Sequence, residues 1–90
     1  MFTLNDIYNE LLPEQRAYMM HLEPLNVNLC SRFLVSFMSG QMVICVDIGR
    51  PGYEMLVSKW VERTPENYKM MSEIVNQLNR MLDVYKMVSL

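Results

Sequence analysis

The segment at residues 33–47 constrains the fold more than any other part of the chain. A Ser-Gly dipeptide at 39–40 is typical of a two-residue hairpin turn, and aromatic and β-branched residues flank it. This turn sets an antiparallel register whose inner face is apolar throughout: Phe33 faces Val46, Val35 faces Ile44, and Phe37 faces Met42. A shift by one residue would exchange the two faces. The sequence therefore predicts a hairpin with one well-defined register.

The same register predicts the neighbours on the opposite face of the hairpin. Leu34 meets Cys45 on that face, and Arg32 meets Asp47 as a cross-strand pair of opposite charges. The hairpin is therefore expected to have one wholly apolar face and one face that mixes apolar, polar and charged side chains.

A second turn follows at residues 49–52, where a Pro-Gly dipeptide suits the centre of a type II turn. We expect a third strand at about residues 53–61. Antiparallel pairing across the turn continues the apolar inner face: Ile48 faces Tyr53, Val46 faces Met55, and Ile44 faces Val57. The three strands then form an antiparallel meander.

A long helix is predicted at the C-terminal end. Thr64 supplies an N-cap hydroxyl, Pro65 suits the first helical position, and Glu66 places an acidic group in the first turn. The helix should run over residues 65–87. Its apolar stripe repeats at alternating spacings of three and four: Met71, Ile74, Leu78, Met81, Tyr85 and Val88.

Two short helices are predicted before the strands, at residues 3–12 and at about residues 13–22. Thr3 suits the N-cap of the first, and Pro13 ends it and begins the second. Residues 25–32 match both a strand pattern and a helix pattern, so their state stays open. The face of the sheet that the N-terminal helices cover is also open at this stage.

These elements together predict an α+β fold. It consists of two short N-terminal helices, a three-stranded antiparallel meander, and a long C-terminal helix packed on one face of the sheet. The length of 90 residues suits a single domain over residues 1–90.

Charge, cysteine content and hydropathy argue against several classes of protein. With a net charge of −2, the chain lacks the basic excess that non-specific nucleic-acid binding requires. Two cysteines are too few for a disulfide framework, and no signal peptide is evident at the N-terminus. The longest apolar stretch, at residues 33–48, is too short and too polar to span a bilayer. We therefore expect a cytoplasmic protein with no membrane segment.

The residues that carry enzyme chemistry are sparse. His21 is the single histidine, and Cys30 and Cys45 are the two thiols. A nucleophile needs a base within reach, and zinc sites need closely spaced ligand pairs, neither of which this spacing provides. Each of the three glycines is accounted for by a turn, so no phosphate-binding loop is present. We expect no catalytic residue, no metal ion and no cofactor.

The second face of the predicted sheet carries a surplus of apolar side chains: Leu34, Met38, Val43, Cys45, Leu56 and Trp60. Two interpretations of this face are open. The N-terminal helices could cover it and form a third layer, or it could be a surface that binds a partner.

The C-terminal helix raises a similar question, because its stripe is wider than three strands require. Leu78 and Tyr85 lie on the main stripe, and Met87 lies beside it. The stripe suits a core helix packed on the sheet. Its distal half could also pair with a second copy of the chain.

Taken together, these features predict a small non-enzymatic regulator or inhibitor that binds another protein, acting as a homodimer. The 10 methionines support this function, because a flexible thioether suits adaptable apolar contacts. Short chains without catalytic groups are a common form for inhibitors encoded by viruses or mobile elements. The alternative function is an RNA-binding module, because double-stranded RNA-binding domains share the order helix, three strands, helix.

Overall fold

The computed structural model describes residues 1–20, 22–50 and 52–88. The elements in chain order are α1 (Leu4–Asn9), α2 (Pro13–Arg16), a 3-10 turn (Val27–Leu29), β1 (Phe33–Met38), β2 (Gln41–Asp47), β3 (Glu54–Leu56), β4 (Val61–Glu62) and α3 (Pro65–Val88). This arrangement confirms the predicted α+β class, with short N-terminal helices, an antiparallel sheet and a long C-terminal helix against its strands.

The β1–β2 hairpin has the predicted register, pairing Phe33 with Val46 and continuing in step to Phe37 and Met42. Ser39 and Gly40 have φ angles of 49° and 77°, the left-handed values that a two-residue hairpin turn requires. At the open end of the hairpin, Arg32 Nε lies 3.6 Å from Asp47 Oδ2, so the expected charge pair is present.

The third strand is interrupted, so the prediction of one continuous strand at residues 53–61 is wrong. β3 pairs with β2 through Val46–Met55 and Cys45–Leu56, whereas β4 pairs with β2 through Met42–Val61. Two more residues separate β3 and β4 than the matching segment of β2 contains. The chain therefore forms a bulge with two extra residues between them.

Ser58 repairs the hydrogen bonding at this bulge. The Ile44 N–H donates to Ser58 Oγ at 2.7 Å, and the Val57 N–H donates to the Ile44 carbonyl oxygen at 2.9 Å. The Ser58 side chain is almost fully buried and takes the place of a missing strand carbonyl. The Ile44 N–H at the bulge therefore has an acceptor within the protein and needs no water molecule.

The N-terminal helices are shorter than predicted, because the chain at residues 18–20 leaves the helix to pair with the bulge. The Met20 N–H donates to the Val57 carbonyl oxygen, and the Lys59 N–H donates to the Tyr18 carbonyl oxygen, both at 2.9 Å. These bonds end the second helix early and cover the outer edge of the sheet at this point.

Residues 25–32, left open from the sequence, form neither a strand nor an α-helix. They contain the 3-10 turn Val27–Leu29, where the Asn28 N–H donates to Asn26 Oδ1 at 2.9 Å. The Val27 N–H also donates to the Phe2 carbonyl oxygen at 3.1 Å, which ties this segment to the N-terminus.

α3 begins as predicted, because the Asn67 N–H donates to Thr64 Oγ1 at 3.1 Å. Its 24 residues run from Pro65 to Val88. Over residues 1–20, 22–50 and 52–88, no helix is both long enough and apolar enough to cross a membrane.

A single apolar cluster joins the helices to the inner face of the sheet. Its fully buried members include Leu4 and Ile7 of α1, Met42 and Ile44 of β2, and Ile74 and Leu78 of α3. α2 lies beside α3, where Gln15 Nε2 donates to Gln77 Oε1 at 2.6 Å. The N-terminal helices therefore lie on the same side of the sheet as α3, and the fold has two layers.

We expect the Ser58→Ala substitution to lower the free energy of unfolding by about 1–3 kcal/mol, because it leaves the Ile44 N–H buried without an acceptor. Urea unfolding followed by far-UV circular dichroism measures this loss. Ser31→Ala is the matched control, since Ser31 is exposed. Equal stability of the two variants would show that Ser58 does not repair the bulge.

Candidate interaction surfaces

The outer face of the sheet is the surface opposite α3. By register it consists of Leu34, Ser36 and Met38 on β1, Val43 and Cys45 on β2, and Leu56 on β3. The alternation of side chains from Leu56 to Glu62 assigns Trp60, in the bulge, to the same face. None of these side chains belongs to the core cluster. Since the helices all lie on the other side, no helix of the described chain covers the outer face.

The outer face has a buried floor and an exposed rim. Val43 and Cys45 lie on the central strand, and the side chains beside them shield both from water. Around them Met38 is 64%, Leu56 44% and Trp60 39% exposed, while Leu34 is half-buried. The exposed part of the face is therefore a ring of large apolar side chains around a closed centre.

Acidic groups flank the rim on the side of β3 and β4. Glu54 and Glu62 are both exposed, and the register places them on the outer face. Asp47 lies on the same face but has Arg32 as its ionic partner. Glu54 Oε2 accepts a hydrogen bond from Cys45 Sγ at 3.3 Å. Among the residues that the structure describes, neither glutamate has an ionic partner, so both contribute negative charge beside Leu56 and Trp60.

Cys45 is an inert thiol rather than a nucleophile. Burial raises its pKa from 9.0 to about 11, against a smaller lowering by the hydrogen bond with Ser36. The pKa of the Cys30 thiol is raised to about 11 in the same way, by burial and against the attraction of Lys86. Both cysteines are free and buried. Neither can act as a thiolate near neutral pH.

The three helix residues predicted to bind a partner lie in different environments. Leu78 is fully buried in the core, so its side chain cannot reach a partner without disrupting the fold. Tyr85 is half-buried, and its ring lies 4.6 Å from that of Phe2. Met87 is exposed near the end of α3. The structure therefore does not bring these three side chains together in one surface.

A cleft of about 360 Å³ lies at the distal end of α3, and we call it the distal cleft. Its apolar lining includes Phe2, Met81, Val84 and Tyr85, and Glu10 and Arg80 supply the charged groups. A hydrogen bond to Glu10 raises the pKa of Tyr85 to about 12, so its hydroxyl stays protonated and donates to the carboxylate. The sequence contains no local signal for this cleft, because Phe2 and Glu10 reach α3 only in the folded chain.

Methionines occupy both the core and the surface. Met42 and Met71 are fully buried, and Met55 and Met81 are half-buried against the core, in agreement with their predicted packing role. Met19 is buried and its neighbour Met20 is exposed, so that segment buries one side only. Of the three methionines that the sequence pattern places outside the core faces, Met38 and Met87 are exposed, whereas Met70 is half-buried against the core.

The groups needed for the other functions considered do not gather in the described residues. No cluster of three or more His, Cys, Asp or Glu side chains there could hold a metal ion. His21 lies outside the described residues, as does Pro51 of the second turn. RNA binding would need basic side chains gathered in one patch. Arg50 instead stacks over Tyr53 at 5.8 Å and Arg63 over Phe37 at 4.5 Å. They lie at opposite ends of the third strand.

No protein-family model, curated protein or solved structure matches this chain. The proposals below therefore depend on the geometry and chemistry of these surfaces.

We expect both thiols to resist alkylation at about pH 8, because a pKa near 11 leaves about a hundredfold less thiolate than the ordinary value of 9.0. Mass spectrometry after iodoacetamide treatment measures the labelling, which should become fast only in denaturant. A Ser31→Cys variant is the control, because its added thiol is exposed and should react quickly. Fast labelling of Cys45 in the native chain would contradict its burial.

Proposed function

We propose that this chain is a small non-enzymatic regulator or inhibitor that binds another protein through the outer face of its sheet. The observation that carries this proposal is the exposed apolar rim of Met38, Leu56 and Trp60 on a face that no described helix covers. Large apolar side chains grouped on one exposed surface mark a site of interaction.

The residue types and their arrangement also support docking of a protein. Methionine and aromatic residues are enriched at the centres of protein interfaces, where large side chains enter apolar surfaces of the partner. Val43 and Cys45 form a closed floor on a central strand, so the rim side chains project from a rigid base. A rigid base lowers the entropy lost when the partner binds.

The charges beside the rim indicate the kind of partner. Glu54 and Glu62 flank Leu56 and Trp60 and are exposed. The complementary surface is an apolar patch on a protein, bordered by lysine or arginine side chains. Opposite charges at the border speed association and favour one orientation of the partner.

The proposed mechanism is occlusion: the outer face covers an apolar surface that the partner needs for its own activity. This mechanism requires no reacting group in the chain.

We propose that the chain works in the cytoplasm, where two free and buried thiols suit reducing conditions. We also propose that it works as a homodimer. Leu78 is a core residue, so the contact between the copies must lie elsewhere than the stripe of α3 that contains it.

We expect a Leu56→Lys substitution to reduce capture of the partner from a native-host lysate at least tenfold, because it places a positive charge within the apolar rim. The reversal Glu54→Lys with Glu62→Lys should weaken capture further, since it would repel a basic border. Capture is measured by quantitative mass spectrometry with immobilised chains whose folding has been checked by circular dichroism.

Leu29→Lys is the matched control, because Leu29 is an equally large aliphatic side chain that is exposed outside the sheet. It should leave capture unchanged. If every captured protein is lost equally with Leu29→Lys and Leu56→Lys, or retained equally with both, the outer face is not the docking surface.

A further inference from the structure

The outer edge of β1 carries backbone groups that its own sheet does not use. Among the described residues, β1 pairs only with β2. In antiparallel pairs, the backbone groups of alternate residues point toward and away from the neighbouring strand. The Asp47 N–H donates to the Arg32 carbonyl oxygen at 2.9 Å, so position 32 faces β2. Residues 33, 35 and 37 therefore direct their N–H and C=O groups away from the sheet.

Asn79 of α3 closes the first of these three positions. The Phe33 N–H donates to Asn79 Oδ1 at 2.7 Å, and Asn79 Nδ2 donates to the Phe33 carbonyl oxygen at 2.9 Å. The carboxamide thus acts as a one-residue strand. Within the described chain, no hydrogen bond occupies the outward groups of Val35 and Phe37. These two residues leave two N–H and two C=O groups open.

Nothing else in β1 protects this edge. Phe33–Met38 contains no charged residue and no proline, and it pairs with β2 without a bulge. Natural edge strands usually carry such protection against pairing with another chain. On the opposite side of the sheet, residues 18–20 bond to Val57 and Lys59. The far edge of the sheet is therefore covered by its own chain at the bulge, whereas the edge of β1 is open at Val35 and Phe37.

We propose that the edge of β1 pairs antiparallel with β1 of a second copy of this chain, about a two-fold axis at Ser36. In this register Val35 of each copy pairs with Phe37 of the other. The pairs form four backbone hydrogen bonds, which use every outward group that Asn79 leaves open. This inference deepens the proposed homodimer by naming the surface that joins the two copies.

The open segment matches a second copy of itself better than it matches an arbitrary strand. Asn79 closes it on one side and the hairpin turn ends it on the other, so its centre lies at Ser36. A two-fold rotation about Ser36 exchanges Val35 and Phe37, so the N–H groups of one copy face the C=O groups of the other. The edge is therefore complementary to itself, as a two-fold interface requires.

The side chains agree with this register as well. Leu34 of one copy lies opposite Met38 of the other on the outer face, where Met38 is otherwise exposed. Arg32 lies beyond Phe33, where Asn79 closes the edge, so no like charges meet across the axis. The paired sheets would also join their two outer faces into one continuous surface.

Charge exchange at Ser36 tests the axis directly. Sedimentation of the wild-type chain at micromolar concentration should give a mass near twice 10.7 kDa. Ser36→Lys and Ser36→Glu should each be monomeric, because like charges then meet across the axis. An equimolar mixture of the two variants should regain the dimer mass, which a folding defect could not produce. Ser31→Lys is the control and should stay dimeric.

Hydrogen exchange of the wild-type chain gives a second measurement that needs no variant. The amides of Val35 and Phe37 should be protected at high protein concentration and should exchange at least tenfold faster on dilution to the monomer. The Phe33 amide should change little, because Asn79 holds it within one chain.

The possible outcomes separate this inference from the proposed function. A dimer that persists equally in both Ser36 variants, or amides of Val35 and Phe37 that ignore dilution, would overturn the β1 pairing while the homodimer stands. A wild-type monomer at all concentrations would overturn both the pairing and the homodimer. Docking through Leu56 is measured separately by capture and would be unaffected.

Discussion

The central strand β2 is the constraint on which the rest of the structure depends. Its residues Met42–Val46 are buried on both faces, and it pairs with β1 on one side and with β3 and β4 on the other. The inner side chains of β2 form the base on which α3 packs, and its outer side chains form the floor of the outer face. The register of the β1–β2 hairpin therefore determines what lies in the core and what reaches the surface.

That register could be predicted because two independent signals agree. The turn dipeptide Ser39-Gly40 requires positive φ angles, and the alternation of apolar residues permits only one pairing around it. The break in the third strand could not be predicted. The bulge adds two residues, and an even number does not change which side chains point inward. Met55, Val57 and Val61 therefore stay on the inner face, and the alternating sequence pattern gives no sign of the break. The sequence pattern predicts longer N-terminal helices than the structure has. The hydrogen bonds of residues 18–20 with the bulge outweigh the weak helix preference of this segment.

The candidate surface was partly visible in the sequence. Alternation alone assigns Leu34, Val43, Leu56 and Trp60 to the face opposite the core. It does not reveal which of them are exposed, because exposure depends on where the N-terminal helices pack. Since those helices join α3, the floor residues are closed only by their neighbours and the rim stays open. The same is true of Leu78 on α3. A wide apolar stripe is equally consistent with burial in the core and with pairing to a second chain, and Leu78 is buried because α1 and the sheet pack on α3.

The unequal treatment of the two sheet edges limits how copies of this chain can associate. An open strand on both sides of a sheet would allow copies to add repeatedly and form a fibre. Here residues 18–20 cover the far edge at the bulge, and Asn79 blocks the near edge at Phe33. The remaining open segment at Val35 and Phe37 is symmetric and can be used once. A sheet built in this way favours a closed pair over a fibre, and the proposed pairing would leave the apolar rim at Leu56 and Trp60 free on both copies.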